Sequence, residues 1–429
     1  MQIILLSGGS GKRLWPLSNE IRAKQFIKIF AGESMLQRVL RQIQKIPAEF
    51  SVTVSTSKLQ KKILRKYVGA GVEISVEPCR RNTFPAIALT AAYLRDVRKI
   101  SLDEPLVICP VDPYVDDNFF AEFKTMAEMT SAANLILLGI APTYPSEKYG
   151  YIIPATGDKI SGVLEFKEKP DTATAAKYIA AGGLWNGGVF ACKLSYALEK
   201  SREILGADSY AELLENYAVL PNISFDYAVV EHEKNIKVIR YIGDWKDVGT
   251  WNTLTEVMDS VGIGDVQFDS ACQNSHVVNE TDTPIIAMGL KNIIIAASPD
   301  GILVADKNQS SYLKPLAENI HQQIRYAEKS WGEYRVIDIG AESLTIKVTL
   351  VAGNKMRYHS HNFRREVWTI IEGSGRVILD GAEKSVAVGD VIEIPAGVKH
   401  TIVADTNLQA IEVQTGRDIS VEDKILWED

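Results

Sequence analysis

The stretch Gln2-Ile-Ile-Leu-Leu-Ser7-Gly8-Gly9-Ser10-Gly11-Lys12-Arg13-Leu14-Trp15-Pro16-Leu17-Ser18, followed by Arg22-Ala23-Lys24-Gln25, decides the reading of this chain. Its apolar run reads as a buried parallel strand. The run ends in a glycine loop, where the missing Cβ atoms let backbone N–H groups close on a phosphate. Lys12, Arg13, Arg22 and Lys24 then supply positive charge for a polyphosphate. The loop is not a Walker A sequence, which would need glycine at position 6, where Leu6 stands. Nor is it a dinucleotide fingerprint, whose third glycine would fall on Leu14.

Composition bounds what surrounds this loop. A chain of 429 residues is too long for one ordinary core, so two or three domains are expected. With 46% apolar and 24% charged residues it reads as soluble and globular. No apolar run approaches the ~20 residues of a membrane span, and no secretory segment follows Met1, so no membrane partner is expected. A net charge of −7 disfavours a nucleic-acid surface, so the basic cluster over 12–28 is expected to face a small anion. Cys79, Cys109, Cys192 and Cys272 are scattered without a CxxC pair, the pattern of reduced thiols in a cytoplasmic protein. Composition does not give the oligomeric state, and a homo-oligomer stays open.

Up to about Asp259, strand-like runs (Gln2–Leu6, Ser51–Ser55, Leu106–Pro110, Leu135–Ile140) alternate with helical patterns (Met35–Ile46, Lys58–Tyr67, Ala86–Arg98, Phe119–Ser131). That rhythm predicts an α/β domain over 1–260, with a mixed, mostly parallel sheet covered on both faces. Ligands of such sheets sit at the carboxyl ends of strands, where the glycine loop and Asp112 both fall. Trp15, Trp185 and Trp251 read as core. Short β-rich pieces (Pro284–Met288, Asn292–Ala296, Gly301–Ala305) predict a small β linker domain over 261–322, with one helix expected over Lys314–Ala327. Closely spaced strands with glycine turns predict an all-β barrel over 323–429.

The N-terminal motifs carry a resemblance. Gly8–Ser18, Lys24-Gln-Phe26, Glu77-Pro, Arg81-Asn-Thr-Phe-Pro-Ala-Ile87, Pro110-Val-Asp112, Tyr149-Gly-Tyr-Ile152 and Phe166-Lys-Glu-Lys-Pro170 stand in order. Trp185-Asn-Gly-Gly-Val-Phe190, Asp226-Tyr-Ala-Val229 and Trp245-Lys-Asp-Val-Gly-Thr-Trp251 complete the series. The whole segment resembles the sugar-1-phosphate nucleotidyltransferases, most closely the mannose-1-phosphate guanylyltransferases, and so implies a Rossmann-like nucleotidyltransferase domain. In that chemistry a sugar-phosphate oxygen attacks the α-phosphorus of a nucleoside triphosphate in line, and pyrophosphate leaves. The nucleophile is already anionic near neutral pH, so positioning and charge neutralisation do most of the work.

The resemblance implies a role for each matched residue. Gly8, Gly9 and Gly11 pack against the nucleotide, and Asn82 lies where the family reads or supports the base. Arg13 and Lys24 hold the phosphates of GTP. Asp112 and Asp247 fit the two carboxylates that bind Mg²⁺. Glu168 would bond sugar hydroxyls, Lys169 would hold the phosphate of the sugar 1-phosphate, and Gly150 and Asn186 would contact the ring. Taken singly, Asp112 is also a natural helix cap, Asp247 a turn residue, Glu168-Lys169 a solvated pair and Asn186-Gly187-Gly188 a hairpin turn. Lys12 stands where the family has Thr, and Ala23 where it has Pro.

Three of the six histidines fall between 359 and 400. Gly353-x5-His359-x-His361-x4-Glu366-x6-Gly373 and Gly389-x5-Pro395-x-Gly397-x2-His400 resemble the two cupin motifs, with Ala404 in place of the usual final Asn. Residues two apart on a strand share a face, so His359 and His361 can share a metal. Glu366 and His400 complete a set suited to Zn²⁺ or another divalent transition metal. With Trp331-Gly-Glu-Tyr334, Glu366-Val-Trp368 and Ile411-Glu-Val-Gln414, the domain order resembles bifunctional mannose-6-phosphate isomerase/mannose-1-phosphate guanylyltransferases. Isomerase activity is not expected to carry over: Arg357 replaces the motif's Gln, and Asn362-Phe-Arg-Arg365 lengthens the His-to-Glu gap. The expected activity is formation of GDP-mannose. The sequence leaves open another hexose or heptose 1-phosphate, another triphosphate, a bifunctional enzyme, or a sensor that binds sugar nucleotides without turnover.

Overall fold

The structure, a computed structural model, describes the chain apart from residues 10, 70, 321–322, 418, 421–422 and 428–429. Ser10 of the glycine loop and the expected linker–barrel boundary at residue 322 therefore lie outside the described residues. Two compact units form: Met1–Gly11 with Ala23–Asp259, and Lys12–Arg22 with Ser260–Asp429.

The first unit is built on nine strands: β1 (Gln2–Ser7), β2 (Ser51–Ser57), β3 (Glu73–Glu77), β4 (Pro105–Pro110), β5 (Leu135–Ile140), β6 (Tyr151–Pro154), β7 (Ile160–Lys167), β8 (Leu184–Lys193) and β9 (Ile236–Tyr241). Their order in the sheet is β3-β2-β1-β4-β8-β5-β9-β7-β6. β8 and β7 run against the other strands, so the sheet is mixed with one dominant direction. Alternation along β1 sends Ile3 and Leu5 to one face and Ile4 to the other. Ile3 and Leu5 join a core with Leu36, Val39 and Phe119, supplied by helices Met35–Ile43 and Asp117–Met129. Ile4 joins Phe84, Ile87 and Leu198 from helices Thr83–Asp96 and Leu194–Leu205. Both faces are thus covered, as the near-continuous apolar strands require. The parallel register pairs Leu6 with Pro110, so the glycine loop and the Asp112 turn leave the sheet side by side.

In the second unit, residues after Ser260 wind into a short parallel solenoid. Gly262–Ile263, His276–Asn279 and Ile293–Ser298 stack in parallel, as do Val266–Phe268 and Ile285–Ala287. Gly301–Asp306 returns antiparallel on the last rung. The helix expected over Lys314–Ala327 is a correction: among its described residues only Lys314–Glu318 is α-helical, and Tyr326–Lys329 is a strand paired with Gly332–Ile339. The backbone N–H groups of Arg325 and Tyr326 donate to the Asp300 carboxylate at 2.6 and 3.3 Å instead of to a preceding turn. From Tyr326 two facing sheets of six and five strands form the barrel, around a core that includes Leu350, Trp368, Ile392, Ile402 and Leu408.

Candidate active site and metal centre

At the carboxyl edge of the first unit, the glycines are dictated by what approaches them. A Cβ on Gly8 would lie 3.1 Å from Glu77 Oε1. Gly11 has φ +64°, and a Cβ there would lie 2.8 Å from the Lys24 backbone nitrogen. Lys24 is buried and its ammonium pairs with the Asp112 carboxylate. Asp112 is followed by the short strand Pro113–Val115, which pairs antiparallel with Trp245–Asp247 so that Asp247 faces Pro113. One two-stranded ladder thereby brings both acids to the same end, although 134 residues of sequence separate them (247 minus 112, less one). Asp112 is no helix cap: Asp116 caps the following helix through a 2.7 Å bond from the Asn118 N–H. Asn82 does cap a helix, accepting from Thr83 N–H at 2.9 Å with φ +68°, a backbone region that asparagine tolerates.

The sugar-side residues also converge. The Asn186 amide donates to Asp226 Oδ1 at 2.6 Å, and its backbone N–H donates to the Gly150 carbonyl at 2.8 Å. A Cβ on Gly150 would collide with Glu168 Oε2, so only glycine leaves room for that carboxylate. Glu168 is buried, with Oε2 unpartnered and Oε1 paired with the Lys169 ammonium. Burial, then the neighbouring Glu168 charge, pushes Asp226 up to about 6. Burial works against the Lys169 charge, but its hydrogen bond to the Glu168 carboxylate prevails and raises its pKa. Asn186-Gly187-Gly188 is not a hairpin turn; it lies within β8 at a shift of register against β5, with Gly188 at φ +69°. Trp185 and Trp251 are core residues, and Trp185 packs on Tyr149 at 4.9 Å.

Three of the expected phosphate-loop cations, Lys12, Arg13 and Arg22, group with the second unit. Arg13 is exposed and, with Lys12, lies in the Lys12–Arg22 segment that belongs to the second unit. Arg22 is a correction to the sequence reading. Its guanidinium is buried and donates to both Glu280 oxygens at 2.6 and 2.9 Å, so it is committed to protein.

In the barrel, His359, His361, Glu366 and His400 are all buried, with ligand atoms within 4.8 Å of one another. The three imidazoles share one arrangement. Nδ1 of His359 bonds the Arg357 carbonyl at 2.7 Å, that of His361 bonds Asp423 at 3.3 Å, and that of His400 bonds Val398 at 2.9 Å. Each carbonyl fixes a proton on Nδ1 and leaves Nε2 facing the cluster. His400 Nε2 is buried without a hydrogen-bond partner, 3.3 Å from Glu366 Oε2. Burial and Lys424 push His359 far below the usual imidazole value. Burial opposes charge on Glu366, yet His361 and His400 hold it well below the usual carboxylate range. Three imidazole nitrogens and one carboxylate are the donor set of a divalent transition metal. Arg364, from the lengthened His-to-Glu gap, reaches His361 Nε2 at 3.1 Å and Glu366 Oε1 at 3.3 Å. The Arg357 side chain is exposed, and only its carbonyl serves the site.

Comparison with known proteins agrees with this geometry. Residues 2–262 match the nucleotidyl transferase family, and residues 316–429 match the C-terminal domain of mannose-6-phosphate isomerase. The chain belongs to the nucleotidyl transferase family. It is 31% identical to mannose-1-phosphate guanylyltransferase RfbM of Salmonella typhimurium, covering 99% of this chain and 96% of that protein. It is 30% identical to xanthan biosynthesis protein XanB of Xanthomonas campestris pv. campestris, over 99% of this chain and 98% of the relative. A crystal structure described as mannose-1-phosphate geranyltransferase from Thermus thermophilus is 29% identical, covers 75% of this chain and 99% of its own, and superposes with a TM-score of 0.66. Among the described residues, no helix of this nucleotidyl transferase is long and apolar enough to cross a membrane.

Two acids beside the expected site residues escaped the sequence reading as candidates, although both lie in the matched motifs. Asp226 binds Asn186, and its signal was only a motif letter. Glu77 ends β3 beside Gly8 and accepts from the Tyr217 hydroxyl at 2.8 Å. Burial pushes its carboxyl up to about 7, from a usual value of 4.5. A raised folded pKa contributes stability below 4.5 that is lost as pH rises towards 7. Glu77→Gln, which keeps an acceptor for Tyr217, is therefore expected to gain stability relative to the parent between pH 4.5 and pH 8, by about 2–3 kcal/mol. Denaturant melts at the two pH values measure this, and a pH-independent difference would contradict the assigned shift. For the barrel, His359→Ala with His361→Ala is expected to abolish bound transition metal, read by elemental analysis of protein reconstituted with Zn²⁺. Full retention would place the metal elsewhere.

Proposed function

We infer that this nucleotidyl transferase is a mannose-1-phosphate guanylyltransferase, forming GDP-mannose and pyrophosphate from GTP and α-mannose 1-phosphate. The observation that carries the reading is the meeting of Lys24, Asp112 and Asp247 at one strand edge, in a chain that also gathers Glu168, Lys169, Asn186 and Gly150. Relatives of matching length named mannose-1-phosphate guanylyltransferase support the choice of sugar and base.

A phosphate oxygen of the sugar phosphate forms the new bond to the α-phosphorus, the α–β bridging bond breaks, and its electron pair leaves on pyrophosphate. Lys24 and Arg13 neutralise the triphosphate, and Lys169 holds the attacking phosphate in line. Glu168 accepts from sugar hydroxyls, with Asn186 kept in place by Asp226. Asp112 and Asp247 would hold Mg²⁺, which when bound offsets charge on the transferring group. His359, His361, Glu366 and His400 would hold Zn²⁺ or a related ion in the barrel. We assign no isomerase step to it. A cytoplasmic location and a division at 1–260, 261–322 and 323–429 belong to the same reading, with Lys12–Arg22 packing with the later residues.

The direct test incubates the protein with each common nucleoside triphosphate, mannose 1-phosphate and Mg²⁺ and measures pyrophosphate; release with GTP is expected, and its absence would end the reading. Asp112→Ala and Asp247→Ala are each expected to lower turnover about a hundredfold or more with folding intact. Near-normal turnover in either would remove that carboxylate from the assignment. Lys169→Ala is expected mainly to raise the KM for mannose 1-phosphate, and Arg13→Ala mainly to impair use of GTP. Equal effects of both on both substrates would contradict the division of labour. The His359→Ala, His361→Ala double variant is expected to keep guanylyl transfer within about threefold, roughly 0.7 kcal/mol in barrier height.

A further inference from the structure

Three strand ends of the first unit bring the sugar-side residues together. β6 pairs with β7 and with β8, in registers that set Tyr151 opposite both Lys167 and Trp185. One residue further along each strand, Gly150 stands between Glu168 and Asn186. The space over Gly150 is tight: a Cβ there would meet Glu168 Oε2, the Phe166 ring at 3.1 Å and the Asn186 Cβ at 3.3 Å. The exit from β7 is strained. Lys169 has φ +46°, a region that a lysine rarely adopts, and such a conformation persists only where its surroundings over-determine it. The buried Pro170 follows, and the Lys169 ammonium pairs with the Glu168 carboxylate. On the preceding side, Glu231 Oε1 accepts from the Glu168 backbone N–H at 3.2 Å.

The opposite flank is held by Asp226, whose Oδ1 accepts from the Asn186 amide at 2.6 Å. Asp226 and Glu231 are the two ends of one π turn, Asp226–Val230 with Glu231 as its cap. The Glu231 N–H bonds the Asp226 carbonyl, five residues back, at 3.0 Å. In an α-helix, five steps of about 100° would leave these two side chains roughly 140° apart. The wider π turn lets both reach the strand ends around Gly150, and single π turns frequently mark functional sites. The mount itself is rigid. Phe225, Ala228, Val229 and Val230 are buried in one core with Phe84 and Phe190, and the Phe225 N–H donates to Thr83 Oγ1 at 2.9 Å. Groups that grip a phosphate gain from being held in advance, because the ordering cost is then met in folding instead of in binding.

We propose that Glu231 is a positioning residue for guanylyl transfer, fixing the Glu168–Lys169 step while Asp226 at the other end of the π turn fixes Asn186. One turn would then set the spacing across the sugar-phosphate site, given the roles assigned above to Glu168, Lys169 and Asn186. The matched motif Asp226-Tyr-Ala-Val229 stops short of Glu231, so no motif marks it.

The test uses the full chain with Mg²⁺ and compares Glu231→Ala, Glu231→Gln, Lys169→Ala and the Glu231→Ala, Lys169→Ala double variant. Glu231→Ala is expected to raise the KM for mannose 1-phosphate about tenfold while leaving that for GTP within about threefold. Glu231→Gln keeps an oxygen that can accept from the Glu168 N–H, and both its KM values are expected within about threefold of the parent. Because Glu231 acts through the Lys169 step, adding its change to Lys169→Ala is expected to raise the KM for mannose 1-phosphate by no more than about threefold further. A folded Glu231→Ala whose two KM values rise together would overturn the proposal. So would a KM for mannose 1-phosphate within about twofold of the parent while Lys169→Ala is impaired, a Glu231→Gln as impaired as Glu231→Ala, or a double variant showing the full product of the single effects. If Glu231→Ala does not fold, Glu231→Met, of similar length and without the acceptor, decides by the same criteria. Absence of GTP-dependent pyrophosphate release by the parent would defeat the functional reading, and an unchanged KM for mannose 1-phosphate in Lys169→Ala would defeat that residue's role; either takes the assignment of Glu231 with it.

Discussion

The approach of Gly11 to the backbone of Lys24 is the constraint on which the transferase site depends. No side chain fits at position 11, because a Cβ would stand 2.8 Å from the Lys24 nitrogen and because φ is +64°. The chain therefore leaves β1 and returns to nearly the same point. Residues 12–22 become an excursion closed at its base, and the entropic cost of closing so short a loop is modest. Closure also fixes where Lys24 begins, which brings its buried ammonium to Asp112. A buried lysine needs such a partner, and this one is drawn from the neighbouring strand end. The ladder from Pro113 to Val115 then brings in Asp247 from a distant part of the sequence. Glycine conformation, charge pairing and strand register thus act in series on one small volume.

Much of this was legible in the sequence because it follows from local rules. The apolar run of β1, the glycine loop and the helical periods of the α/β unit appear where chain chemistry places them. Glycine spacing and strand alternation also announced the barrel and its histidines. Long-range polar partnerships were not legible. Arg22 reads as a phosphate cation beside Arg13, and nothing local reveals that Glu280 takes its charge. The Lys314–Ala327 stretch has helical composition, but its last residues pair with Gly332–Ile339 once Asp300 takes the Arg325 and Tyr326 N–H groups. Stacking of the solenoid rungs in parallel was equally hidden, since rungs as short as two to six residues carry no readable period. Asp226 and Glu77 were visible as letters, and burial and neighbours alone mark them as candidates.

The two polar centres solve the problem of buried charge in opposite ways. In the transferase unit Glu168 and Asp226 are like charges in a poorly hydrated place, and Asp226 answers by moving up to about 6. Asn186 and Lys169 offset only part of the repulsion, so the cluster holds unspent acceptor capacity, visible in the unpartnered Glu168 Oε2. Such acceptors can be met by hydroxyl donors. In the barrel Glu366, the one carboxylate of the histidine cluster, moves down, while burial and the Glu366 charge push the nearby Glu412 up to about 8. What remains unspent there is lone-pair capacity on nitrogen, visible in His400 Nε2.

The backbone explains why that nitrogen capacity is preserved. His359 and His400 each bond the carbonyl two residues before them, and His361 bonds a carbonyl from the end of the chain. Carbonyls accept only, so each ring must carry its proton on Nδ1. The orientation of all three rings is thereby written into strand geometry before any ion arrives. An ion then has only to replace the weak interactions among Nε2, Glu366 and Arg364. The barrel's donor set is therefore a property of its fold, independent of whether the Arg357 and Asn362–Arg365 departures permit isomerisation. Its link to the other end of the chain runs through Asp300, which joins the first barrel strand to the segment bearing Arg13.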